Sequence, residues 1–214
     1  MLSSPDTVAA VAIEPFSLGG RYVELVPLEV SHATELADAA VGDRSTYDFT
    51  DVPDGAAAME TYISRLLAAR DRGEAVPFAQ RRLADGRLVG CTRYLELRHW
   101  RGRPQPDEVE IGGTWLAADA QRTPINTEAK LLLLTHAFET WGAWRVALCT
   151  DARNRRSWEA IERIGARHEG VLRNHRTSHM RTEAGRPRDS ALFAITETDW
   201  PEVRERLTGM LARA

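Results

Sequence analysis

Two carboxylates and one helix start carry the chemistry this sequence could do. Glu108 and Glu110 stand two apart in a strand-like run, EVEIGGTWL, so their side chains share one face, opposite Val109 and Ile111. A carboxylate on such a wall can take a proton from a nucleophile; both can equally be ordinary solvent-facing strand residues. The run leads through AADAQRTPIN into a long apolar helix. Thr123 is a good N-cap, and Pro124 fits the first helical position, where its missing N–H would have had no intrahelical partner. The amides of Ile125 and Asn126 then stay available at the positive end of the helix dipole, a place that suits a pyrophosphate. Taken alone, such a start is more often only a helix start.

A second strand-to-helix passage follows. RVALCTD ends in a loop with Arg153 and Asn154, and the next helix puts Ser157, Trp158, Ile161 and Ile164 on or near one face before stopping at Gly165. Asn154 is well suited to cap it.

Other elements must hold these segments in place. Tyr22 to Leu28 reads as a first strand, Ser31 as the cap of a helix through Ala40, and Gly55 to Arg72 as a helix with apolar Met59, Ile63, Leu66 and Leu67. Between the helices lies a Tyr47-Asp48-Phe49 loop. VPFAQRRL and RLVGCTRYLEL form a hairpin across Ala84-Asp85-Gly86, and the Pro- and Arg-containing stretch from Arg98 to Asp107 reads as a loop. The helix after Thr123 is apolar nearly all round and ends at Gly142, which predicts burial against the sheet. HEGVLRNHRTS and SALFAITET are two further strands, and Asp199 with Pro201 starts a terminal helix.

With 214 residues and 43% hydrophobic content, the chain suits one α/β domain, expected over 18–214 after a flexible 1–17. A net charge of −3 favours neither nucleic acid nor an anionic membrane as partner. No apolar run approaches the ~20 residues of a membrane span, and the N-terminus lacks the basic and apolar regions of a signal peptide. Cys91 and Cys149 lie far apart in apolar runs, so no metal site is expected; they read as buried thiols of a cytoplasmic protein.

Together, E-x-G-x-x-W-L, Q-R-T-x-x-N-x-E-A-K, R-V-x-L-x-T-D-x-R-N-x-x-S-x-x-A-I-E-R-I-G-A and E-G-V-L-R-x-H resemble the GNAT N-acyltransferases, in their ribosomal-protein-alanine (RimJ/RimL-like) branch. The likeness covers most of the chain from about Gly20, with its specific motifs between Glu110 and Asp189. It implies a mixed, mostly antiparallel sheet of about seven strands, splayed between the fourth and fifth, with helices on both faces and acyl-CoA in the gap. Thr114, Trp115 and Leu116 would meet the pantetheine, the amides from Arg122 through Thr123 and Ile125 to Asn126 the pyrophosphate, and Asn154 the pantetheine arm. Arg122, Arg153 and Arg156 are placed to approach phosphates. Pro124 and Asn126 stand where the family usually has small residues, and Ile161 where many members have a tyrosine acid.

The implied reaction passes an acyl group, acetyl by default, directly to a primary amine on a peptide, a protein or a small molecule. Glu110 is favoured over Glu108 as the base, being eleven residues before Gln121 as in some family members. Ser157 can protonate the leaving thiolate, and a backbone N–H near Trp115 can meet the oxyanion. The acceptor rim is expected at Tyr47 and Phe49, the Arg98 to Arg103 loop and the His179 to Arg188 hairpin, whose arginines point to an anionic portion of the substrate. An α-amine with pKa near ~8 needs about 3 kcal/mol less help than a lysine near ~10.4. The competing expectation is a CoA-binding interaction module without catalysis. A homodimer through the last hairpin and helix, as in this branch, is also expected.

Overall fold

The computed structural model describes residues 13–183 and 185–214. In chain order the elements are β1 (Leu18–Gly19), β2 (Val23–Pro27), α1 (Ala33–Ala39), α2 (Ala56–Asp71), β3 (Ala75–Arg82), β4 (Leu88–Arg98) and β5 (Glu108–Leu116). There follow α3 (Pro124–Thr135), β6 (Arg145–Asp151), α4 (Arg155–Arg163), β7 (Arg167–Thr177), β8 (Pro187–Thr196) and α5 (Trp200–Ala212). The expected flexible segment 1–17 falls outside the described residues as far as residue 12; after it, Ile13 and Phe16 pack against the core.

The sheet runs β1-β2-β3-β4-β5-β6-β8-β7, eight strands where seven are expected; the additional one is the two-residue β1. Every pair is antiparallel except β5 with β6, which the crossover through α3 makes parallel. That parallel pairing is short, joining Glu108 to Arg145, Val109 to Val146 and Glu110 to Ala147. Beyond it β5 stays with β4 as far as Leu116, and β6 stays with β8 as far as Asp151. The sheet therefore forks after Glu110, between the fourth and fifth strands if counting starts at β2.

A bulge helps to open the fork. Cys91 pairs with Trp115 and Arg93 with Gly112, so β5 carries one more residue than β4 across this step. Gly113 has φ 57°, and a Cβ there would lie 2.3 Å from Arg93 Nη1, so a side chain at this position is strained and must displace the guanidinium. The extra residue bends β5, which favours its departure from β6.

Helices cover both faces. On one, Leu133 and Leu134 of α3, Ile161 of α4, and Val203 and Leu207 of α5 pack with Val109, Ile111, Val146 and Phe193. On the other, Leu36 of α1 and Met59, Ile63 and Leu66 of α2 pack with Leu88, Cys91 and Trp115. Burying each such Leu or Ile contributes about 1.5–3 kcal/mol before entropy. The start of α3 is tied further: Glu128 accepts backbone N–H bonds from Arg21 (2.7 Å), Tyr22 (2.6 Å) and Val23 (2.8 Å). Gly20 makes room for that carboxylate, whose Cδ would be 2.4 Å from an added Cβ.

Three local expectations are corrected. Ser31 does not cap a helix; a 3₁₀ turn, Val30–His32, precedes α1, and the Glu29 N–H donates to His32 Nδ1 at 3.2 Å. The helix after Thr123 stays α-helical only to Thr135 and continues as a π turn, His136–Thr140, before Gly142. The Arg98 to Arg103 loop folds onto the paired end of β5, where Arg101 and Arg103 donate to Asp107 and to the Gly142 carbonyl.

Candidate active site

One wall of the fork is the end of β5 and the start of α3. The Leu116 carbonyl accepts from Tyr47 Oη and Gln121 Nε2, both at 2.9 Å, which fixes where β5 ends. Trp115 is buried against Tyr47 (ring centroids 6.1 Å), with its indole N–H lacking a partner among the described residues. Thr114 lies at the bulge, its Oγ1 2.8 Å from Thr92 Oγ1 and 2.8 Å from Lys130 Nζ. Burial pulls that ammonium down to about 7.

After β5 the chain turns sharply. Arg122 has φ 59°, unusual for a residue with a side chain, and Thr123 follows as the N-cap with Pro124 in the first turn. Thr123 Oγ1 receives the Ile125 N–H at 3.4 Å, so that amide is less free than the spacing alone implies. The Arg122 and Thr123 amides find no hydrogen-bond acceptor among the described residues. Nor does the buried Oδ1 of Asn126 find a donor. These atoms lie within one turn of the helix start.

The opposite wall is the end of β6 and the start of α4. Asn154 Oδ1 caps α4 by accepting the Ser157 N–H at 3.1 Å, which leaves the amide NH2 as its remaining donor. Ser157 is half-buried in the first turn. Arg153 binds Asp151 through Nε (2.9 Å) and Nη2 (2.8 Å) and also reaches Glu183. Burial raises the Asp151 carboxyl, and the Arg153 contacts more than offset it, holding the group below the usual range. Arg153 is thus committed to the protein, and Arg156 donates to Gln121. Arg122 remains exposed.

Glu110 sits at the point of the fork, on the last parallel pair, and is 5% exposed. Both its oxygens are occupied: Arg176 on β7 donates to Oε1 at 2.9 Å and to Oε2 at 2.7 Å. Each oxygen keeps a lone pair for one further donor. Glu108, the other candidate base, lies at the paired end and is engaged by Arg145 at 3.3 Å. Of the expected acceptor rim, Tyr47 is buried and acts on Leu116, while Phe49 is half-buried with the Arg153 guanidinium 5.8 Å from its ring centre. Arg93, Lys130 and Arg176 are residues of this site that the sequence reading passed over, whereas Arg188 ends the hairpin expected on the acceptor rim. Lys130 had a signal, being the only lysine of the chain and standing in an apolar helix; the arginines, on strands, had none.

Among the described residues no three His, Cys, Asp or Glu side chains could together hold a metal ion, and no helix is long and apolar enough to cross a membrane.

Comparison with known proteins bears on this geometry. Residues 23–167 match an acetyltransferase (GNAT) domain. A GCN5-related N-acetyltransferase from Brucella melitensis superposes with TM-score 0.79 at 26% identity, over 93% of this chain and 86% of that one. An acetyltransferase-class protein from T. thermophilus gives 0.77 at 30% identity, over 93% and 98%. Mycobacterium smegmatis RimJ, solved in complex with CoA-disulfide, gives 0.73 at 23% identity, over 92% and 95%. No curated protein sequence matches the chain. With the fork point, the Gly113 bulge and the Thr123 helix start all inside the matched region, the chain belongs to the GNAT acetyltransferase family.

Proposed function

We propose that this GNAT acetyltransferase transfers an acyl group, acetyl by default, from acyl-CoA directly to a primary amine within one ternary complex. The observation that carries the reading is the fork after Glu110, lined by polar atoms that have no partners among the described residues. The unpaired Arg122 and Thr123 amides suit a pyrophosphate, and Asn126 Oδ1 and the Asn154 amide suit the amide groups of a pantetheine chain. Thr114, Trp115 and Leu116 form the wall it would follow. That RimJ was solved with a CoA-disulfide agrees with a CoA thioester as the donor.

The bound thioester supplies the electrophilic carbonyl and a thiol leaving group. Glu110 receives the incoming amine's proton on a lone pair that Arg176 leaves free, and a backbone N–H of the bulge beside Trp115 stabilises charge on the carbonyl oxygen. The sulfur leaves as a thiolate, which Ser157 assists only by a hydrogen bond from its hydroxyl; because thiols ionise near pH ~8.5, this help is small. Ile161 is buried in the core and takes no part. An α-amine, on a peptide N-terminus or a small molecule, suits a single carboxylate better than a lysine does. Phe49 borders the acceptor side, and Tyr47 supports the wall behind it. The working state we propose is cytoplasmic, with the edge strand β7, which exposes Val171 and Leu172, joining α5 in a homodimer contact; light scattering tests the dimer.

A second reading, a CoA-binding module without turnover, draws on the clamped Glu110 and the apolar Ile161. Thiol release from acetyl-CoA separates the two. Release is expected only when an amine is added, and Glu110→Gln is expected to lower kcat about hundredfold while acetyl-CoA affinity holds. Tight acetyl-CoA binding with no amine-dependent release would establish the module instead.

A further inference from the structure

The acceptor side of the fork holds positive charge that the protein does not balance. Arg188 on β8 is 7% exposed, and its Cα lies across from that of Arg176. Titratable groups near it are Cys149 and Asp151 of β6, Arg176 and His175 of β7, His179, and Glu110 of β5, the residue at the fork point. Both carboxylates among them are already taken, Glu110 by Arg176 and Asp151 by Arg153. Arg188 forms no ion pair among the described residues, and its buried Nε has no hydrogen-bond partner. Two residues along the same face lies the buried hydroxyl of Ser190, beside the Cys149 thiol. A buried cation without an anion is costly to keep, and an orphaned N–H on it asks for a ligand.

The other wall repeats the pattern. The Arg93 guanidinium packs on Gly113 and donates to Tyr62 Oη at 3.3 Å, with no carboxylate bound to it among the described residues. His179 lies between the walls, its charged neighbours being Arg188, Asp51, Arg93 and Arg65. Asp51 is itself paired with Arg65. Burial first, and then Arg188, hold the His179 imidazole below its ordinary value, so it adds a neutral hydrogen-bonding group rather than more charge.

We propose that the acceptor amine carries a carboxylate, bound by Arg188 and Ser190 on β8 with Arg93 facing it across the fork. A planar monoanion matches a guanidinium edge and balances its charge beside the two carboxylates already present. The proposal rests on the acyltransfer reading and narrows its substrate to amino acids or peptides with a carboxylate near the reacting amine.

The test uses the full chain with acetyl-CoA and acceptor pairs that differ in that charge, each rate taken per free-base amine: glycine and glycinamide, β-alanine and β-alaninamide, Ala-Glu amide and Ala-Gln amide. The carboxylate member should be preferred by about tenfold or more in kcat/KM, and Arg188→Gln should remove the preference through KM, with Arg188→Lys restoring part of it. A second readout needs no turnover. Acetate should raise the Tm of the wild type and not of Arg188→Gln, and Arg188→Gln without ligand should itself melt higher, because it removes a buried unpaired charge. Equal turnover of each pair, equal loss on both members in Arg188→Gln, or equal acetate shifts in both proteins would overturn the proposal. If no amine is turned over, the acyltransfer reading fails by itself, and the acetate shift alone then decides the anion site.

Discussion

The two ends of β5 use the same residue types to opposite purposes. At the paired end, Asp107 is fully buried and takes the Arg101 N–H at 2.7 Å together with the Arg101 and Arg103 guanidinium groups, which in turn bind the Gly142 carbonyl. At the open end, acids and arginines are again buried together, yet Arg188 Nε, Trp115 Nε1 and Asn126 Oδ1 stay without partners among the described residues. Satisfied polar clusters hold a fold, whereas orphaned ones at a gap mark where something else must bind.

Changes at the open end should cost activity, and changes at the paired end should cost stability. The largest effect is expected from Gly113→Val, which puts a branched side chain at φ 57° onto Arg93. Displacing the bulge should lower kcat/KM by about hundredfold or more, measured as thiol release per folded molecule. Next is Asp107→Ala, which strands two arginines and should cost about 2–3 kcal/mol in urea unfolding, with KM for acetyl-CoA unmoved. Burial raises the Asp107 carboxyl, but the Arg101 and Arg103 contacts outweigh it and leave the group lowered. Its stabilisation is therefore complete above the ordinary value near ~3.9 and is lost as pH falls through the lower folded value. Asp107→Asn should remove that acid-side loss.

Lys130 gives a smaller effect of the opposite sign. Its ammonium is pulled down to about 7 by burial, below the unfolded value near ~10.4, so the unfolded chain binds more protons between these limits. Stability should rise with pH across that window, and Lys130→Met should flatten the rise in melting curves and raise Tm at neutral pH. The smallest change is expected for Ser157→Ala, less than about tenfold in kcat, because a thiolate leaves without much help.

What the sequence made legible was local. Thr123 and Asn154 do cap α3 and α4, and the strands flanking them do diverge, because caps and strand-to-helix turns are written within a few residues. The partner of Glu110 was not legible: Arg176 lies 66 residues away on an outer strand, and no periodicity links the two. Tyr47 reads as a polar loop residue but is buried, because Leu116, 69 residues on, offers its carbonyl. The Arg98 to Arg103 loop misled for a related reason: its arginines are spent on Asp107, only four to six residues on, and on the Gly142 carbonyl, which only the fold brings near.

A crystal structure of the chain with acetyl-CoA is the sharpest check on the forked cleft as the cofactor site. Pyrophosphate density is expected on the Arg122 and Thr123 amides, a pantetheine amide on Asn126 or Asn154, and the thioester beside Gly113 at the fork. Acetyl-CoA bound elsewhere, or bound in the fork with those amides and Asn126 Oδ1 still unpartnered, would contradict it.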